Sequence, residues 1–104
     1  MGYFDGKTAL VTGAAEGVGV AFANALAAEG CSVAICDIRD NVQARADEIA
    51  AKHGVETLAF NADTGVAADC WRVVDGVMAA WGRLDILVNN DTALIGEYTR
   101  HRRG

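Results

Sequence analysis

"TALVTGAAEGVGVAFA" (residues 8–23) is an apolar run that breaks at a cluster of glycines and then resumes. Lys7 to Thr12 is short and apolar, the composition of a buried strand. From Val18 to Glu29 the alanine-rich "VGVAFANALAAE" suits a helix, and Gly30 stands just past its end, where helices stop. The stretch is therefore expected to be a strand that passes through a glycine turn into a helix. Such a turn presents unpaired backbone N–H groups and the positive end of a helix dipole, an anion site that suits phosphate. Glycine permits the tight turn and, lacking a Cβ, lets a pyrophosphate come close to the backbone.

Outward from this stretch the same alternation repeats. "CSVAIC" (31–36) reads as a second strand ending on Asp37, and "NVQARADEIAAKH" (41–53) as an amphipathic helix closed by Gly54. Its inward face is Val42, Ala46, Ile49 and Ala50. "ETLAFNAD" (56–63) is a third strand, after which Asp63 or Thr64 is expected to cap a helix. In that helix Val66, Cys70, Val73, Val74, Val77, Met78 and Trp81 keep a helical period until Gly82, and Trp71, Trp81 and Met78 read as core. "LDILVNN" (84–90) is a fourth strand. Continuous apolar strands alternating with amphipathic helices predict an α/β fold with a parallel sheet, covered on both faces and joined by right-handed crossovers. Residues 91–104 ("DTALIGEYTRHRRG") fit no clear element. The expected division is a domain over 1–90 and an irregular basic tail over 91–104.

Composition narrows the function classes. The chain has 104 residues and is 52% hydrophobic, enough for one domain with a thin core. A net charge of -5 argues against nucleic acid as a partner of the domain body. Arg100, Arg102 and Arg103 concentrate positive charge at the end of the chain, which reads as a solvated tail. Cys31, Cys36 and Cys70 lie in apolar runs without a CxxC pair, and only His53 and His101 are available to join them, so no metal site is expected. Buried thiols suit a reducing compartment. No charged-then-apolar leader opens the chain and no apolar run approaches ~18 residues, so a cytoplasmic protein with no membrane partner is expected. "MGYFDG" begins like a myristoylation signal, but Gly6 stands where that signal needs Ser or Thr.

Two phosphate motifs fail on spacing. "GYFDGKT" (2–8) has three residues between its glycines where GxxxxGK[ST] needs four, and it precedes the strand. GxGxxG fails because Phe22 follows Gly17 and Gly19 where a third glycine belongs. What stands is Thr12-Gly13-x-x-x-Gly17-x-Gly19. With "FDGKTALVTG", Asp37 after strand two, Asp63 after strand three and "LDILVNN" following in order, residues 3–90 resemble the short-chain dehydrogenase/reductase family.

The resemblance implies a three-layer Rossmann-type fold of strand order 3-2-1-4, truncated after the fourth strand. It implies that Gly13, Gly17 and Gly19 surround the adenosine and pyrophosphate of a dinucleotide, supported by Thr12, with Val18 and Ile38 beside it. Asp37 would accept from the adenosine ribose hydroxyls, and its charge would favour NAD over NADP, although Arg39 keeps NADP open. A polar residue ending a strand is the plainer role for Asp37. Asp63, with Ala62 nearby, would meet the adenine or serve only as a helix N-cap. Asn89 would hold the sheet and line the cofactor cleft. Glu16 reads as solvated, since a carboxylate facing pyrophosphate is unfavourable.

The family's chemistry is hydride transfer between nicotinamide and an alcohol or carbonyl carbon. A tyrosine acts as acid/base beside a lysine four residues on, and a serine orients the substrate. None of these is matched here, so no catalytic residue is assigned. Tyr98-x-x-x-Arg102 carries Arg for Lys and comes too early, and Ser32, the only serine, sits inside strand two. The family pattern Asn-Asn-Ala-Gly is also broken, because Asp91-Thr92 follows Asn89-Asn90. Two readings result. One is the cofactor-binding half of an oxidoreductase, inactive alone, with a small-molecule substrate only in a complete homologue. The other is a non-catalytic dinucleotide-binding or interaction module that pairs through the open edge of strand 84–90.

Overall fold

The first strand, β1 (Thr8–Thr12), is buried at all five positions. That is what a continuous apolar run requires when both faces of a sheet are covered. The computed structural model describes residues 2–90; the tail 91–104, the Asp91-Thr92 departure and the Tyr98-x-x-x-Arg102 pair lie outside the described residues. After β1 come α1 (Val18–Ala28), β2 (Ser32–Asp37), α2 (Val42–His53), β3 (Thr57–Asn61), α3 (Ala67–Trp81) and β4 (Ile86–Val88). The four strands form one parallel sheet in the order β3-β2-β1-β4.

Successive residues of a strand point to opposite faces, and the two cores follow that rule. Ala9, Val11, Val33 and Ile35 face α1 and α2, where they pack with Ala23, Ala27, Val42, Ala46 and Ile49. Leu10, Ala34 and Cys36 face the other way, onto Cys70, Val73 and Val77 of α3. Helices α2 and α3 stop where expected, the N–H groups of Gly54 and Gly82 closing on the carbonyls of Ala50 and Met78. Cys31, Cys36 and Cys70 are all buried thiols, and burial pushes the Cys31 thiol upward, with Asp85 adding to the shift.

Three expectations are corrected. Helix α3 starts at Ala67 with Val66 at its N-cap, after a turn in which Asp63 accepts the N–H of Gly65 at 2.9 Å through its side chain and that of Val66 at 2.9 Å through its carbonyl. Asp63 thus forms an Asx turn beyond the end of β3, and Val66 takes the cap position expected for Asp63 or Thr64. Strand β4 is three residues long, shorter than the expected 84–90, and just before it the Asp85 carboxylate takes the N–H of Thr8 at 2.9 Å. Met78 is 44% exposed and the two tryptophans only partly buried, so this cluster is not closed core. Val74 and Met78 instead border an apolar cavity of about 470 Å³ with Leu84 and Leu87, beside β4.

Candidate functional site

Open α/β sheets hold ligands outside the carboxyl ends of their strands, where the chain direction switches between neighbouring crossovers. In the order β3-β2-β1-β4 that point lies between β1 and β4, at the turn that follows Thr12. Thr12 is buried, and its hydroxyl donates to Asn89 Oδ1 at 3.2 Å, tying the end of β1 to the end of β4. Asn90 Nδ2 donates to the carbonyl of Gly13 at 3.3 Å.

The turn itself is held from two sides. Ala15 donates its N–H to Asp37 Oδ2 at 2.9 Å, while its carbonyl accepts Arg45 Nε at 2.8 Å. Gly17 then adopts φ 69, ψ -139, a region that only glycine enters readily, and a Cβ there would meet nothing within 4 Å. Helix α1 begins next, with Val18 exposed and no side chain capping the N-terminus. Gly19 is needed for a different reason: a Cβ would overlap the carbonyl oxygen of Gly13, so its absence lets helix and strand close up. The result is an uncapped helix N-terminus behind an open backbone.

Beside it lies a cavity of about 570 Å³. Of the residues singled out from the sequence, Gly13, Asp37, Ile38, Ala62 and Asp63 line it. Gly17 and Val18 stand at the exposed turn, while Thr12, Gly19 and Asn89 support the wall. Asp37 is 5% exposed, and its second oxygen accepts the N–H of Arg39 at 2.9 Å. Two backbone donors leave a carboxylate with further lone pairs for a ligand hydroxyl. Ala62 is fixed by donating its N–H to the carbonyl of Asp37 at 2.9 Å.

Glu16, Arg39, Thr64 and Asn90 also line the cavity. Glu16 is not merely solvated: its carboxylate pairs with Arg39 Nη2 at 2.9 Å across the rim. The Asn-Asn pair signalled Asn90, but only Asn89 was assigned. Nothing local marks the Glu16–Arg39 contact, which joins two loops 23 positions apart. The strongly shifted carboxyl, Asp85, lies at the opposite end of the sheet, where Arg83 and the Thr8 N–H hold it at about 2. Among the described residues no cluster of His, Cys, Asp and Glu could hold a metal ion, and no helix is long and apolar enough to cross a membrane.

A parallel sheet of this order, with a glycine turn running into an uncapped helix at its switch point, defines a dinucleotide-type α/β fold. The family model for short chain dehydrogenase matches residues 7–101, and the chain belongs to that family. A sorbitol dehydrogenase of Cereibacter sphaeroides is 47% identical over 100 residues, covering 92% of this chain and 38% of the relative. The solved L-sorbose reductase of Gluconobacter frateurii, complexed with NADPH and L-sorbose, is 34% identical with a TM-score of 0.83, covering 88% of this chain and 35% of that one. An NAD+-bound xylitol dehydrogenase structure is 31% identical with a TM-score of 0.77, covering 82% and 33%. The chain therefore spans about a third of the length of these relatives.

Proposed function

We propose that residues 1–90 bind the adenosine-diphosphate half of NAD(P) in the cavity beside Gly13, with NAD preferred. The observation that carries this reading is the open Gly17 backbone at an uncapped helix N-terminus, next to a cavity of about 570 Å³. Three features fit the group. The helix end offers N–H donors and positive potential to a diphosphate. Buried Asp37 keeps acceptor capacity for ribose hydroxyls. The cavity volume lies within the usual range for small-molecule sites, ~300–1,000 Å³.

In this reading Gly13, Gly17, Val18 and Gly19 receive the diphosphate, and Asp37 and Ile38 receive the ribose. Ala62 and Asp63 flank the adenine, while Thr12 and Asn89 brace the wall. When bound, the nicotinamide supplies hydride donation or acceptance to an alcohol or carbonyl carbon. The relatives named for sorbitol, sorbose and xylitol support a polyol or ketose as the substrate class of a complete homologue. Among the described residues none is placed to move a proton there: Tyr3 is 84% exposed on the segment before β1, and Ser32 begins β2. In this reading the described residues hold the cofactor and supply no proton-moving group.

Calorimetric titration with NADH and NADPH tests this. Micromolar NADH binding, weaker NADPH binding and no NADH oxidation with ketose are expected. Absence of binding at millimolar NADH would overturn the proposal. The apolar cavity beside β4 favours an additional role as an interaction module, since exposed Leu87 and Met78 border it.

A further inference from the structure

Asparagine is a poor strand residue, yet Asn61 ends β3, exposed, directly before Ala62 of the cavity wall. We propose that Asn61 is a positioning residue of this site, which holds the loop after β2 in the shape that meets a ligand. The inference rests on the dinucleotide reading above and goes beyond it by assigning the order of that loop to one amide group. Ile38 and Arg39 line the cavity from the loop, whereas Asn61 does not line it. The ladder between β2 and β3 closes with the Asp37–Asn61 pair, so the carbonyls of Ile38 and Arg39 lie past its end. The Asn61 side chain takes over there. Its Nδ2 donates to the carbonyls of Ile38 and Arg39 at 3.0 Å each and to that of Asp37 at 3.3 Å.

An amide nitrogen carries two N–H groups, so three carbonyls share two donors. The longest contact goes to Asp37, whose carbonyl already accepts the Ala62 N–H at 2.9 Å. The two shorter ones go to the carbonyls past the ladder. Carbonyl oxygens only accept, so the amide must present its nitrogen here, and an aspartate of nearly the same shape could not replace it. Asn61 is itself braced from α3, because its own carbonyl accepts Arg72 Nη2 at 2.8 Å. The clamp therefore ties the loop to a helix as well as to the sheet. A loop ordered in advance spares a ligand the entropy of ordering it. Because the clamp acts on backbone carbonyls, it raises affinity for NADH and NADPH alike and selects neither.

The test compares Asn61→Ala and Asn61→Asp with wild type on the full chain, by calorimetry with each cofactor and by 15N relaxation without ligand. In Asn61→Ala the affinity for both cofactors is expected to fall about five- to tenfold, the size of one lost hydrogen bond, with their ratio unchanged within about twofold. Asn61→Asp sets a carboxylate against the three carbonyls and is expected to lose more. Backbone order parameters at Ile38 and Arg39 are expected to drop in both variants while those of β1 and β2 hold. Unchanged affinity, an Asn61→Asp variant that binds like wild type, or an equal loss of order throughout the sheet would overturn the role of Asn61 while leaving cofactor binding intact. Failure of wild type to bind NADH would instead remove the site, and this inference with it.

Discussion

At the scale of single residues, Ala15 shows how the turn is kept open. Its side chain is a methyl group, yet its backbone is held on both sides, by Asp37 at the N–H and by Arg45 at the carbonyl. Asp37 therefore has a structural role that does not depend on any ligand. Replacing Asp37 with Ala leaves a buried N–H without its acceptor and is expected to destabilise the fold by about 1–3 kcal/mol, read from urea unfolding. The same variant is expected to lose NADH affinity, whereas a purely ribose-binding Asp37 would leave stability unchanged. The ordering of Asp37 after an apolar strand was visible in the sequence. Its partner at the Ala15 N–H was not, because Ala15 lies 22 positions away and only the folded sheet brings it close. Glu16 is exposed as expected, but its contact with Arg39 was hidden for the same reason, because that residue belongs to the next strand's loop.

Among the elements, the β1–α1 turn was legible because glycine has few other reasons to recur there after a buried strand. Gly17 and Gly19 nonetheless serve different ends, and substitution separates them. Gly17→Ala meets open space but keeps a strained backbone, for a cost of roughly 1–3 kcal/mol. Gly19→Ala drives a methyl into the Gly13 carbonyl and should cost about 3 kcal/mol or more, since backbone cannot easily yield. Thermal melts of the two variants rank them, and a Gly19 variant as stable as wild type would contradict the close packing. Periodicity placed every helix and strand but not every boundary. The start of α3 was misplaced because Asp63 can cap a helix or close an Asx turn, and local sequence does not separate the two.

The β1–β4 contact carries a pH dependence of its own. Arg83 chiefly, and then the Thr8 N–H, lower the Asp85 carboxyl from 3.8 to about 2. A carboxyl with a lowered folded pKa stabilises the fold above its unfolded value, and that contribution is lost as pH falls through the folded one. Wild type is therefore expected to melt above Asp85→Asn at neutral pH, with the gap closing between pH 4 and pH 2. A gap independent of pH over that window would show that the ion pair does not act through this carboxyl.

For the whole molecule, strand order follows from the family resemblance more than from any local pattern, since alternation alone does not say which strands are neighbours. Met78 of α3 and Leu87 of β4 stay 44% and 43% exposed around the apolar cavity beside β4. This face is expected to promote association, so sedimentation equilibrium should show a weight-average mass that rises with concentration in wild type and less in Leu87→Lys. Equal masses would assign the surface no role in pairing. The central claim concerns the other end of the sheet. Its most direct test is a heteronuclear NMR titration of the 15N-labelled chain with NADH. Saturable amide shifts at Gly13, Gly17, Val18 and Gly19, together with Asp37 and Ala62, are expected. Shifts confined to the β4 face, or none at millimolar NADH, would contradict a dinucleotide site at the glycine turn.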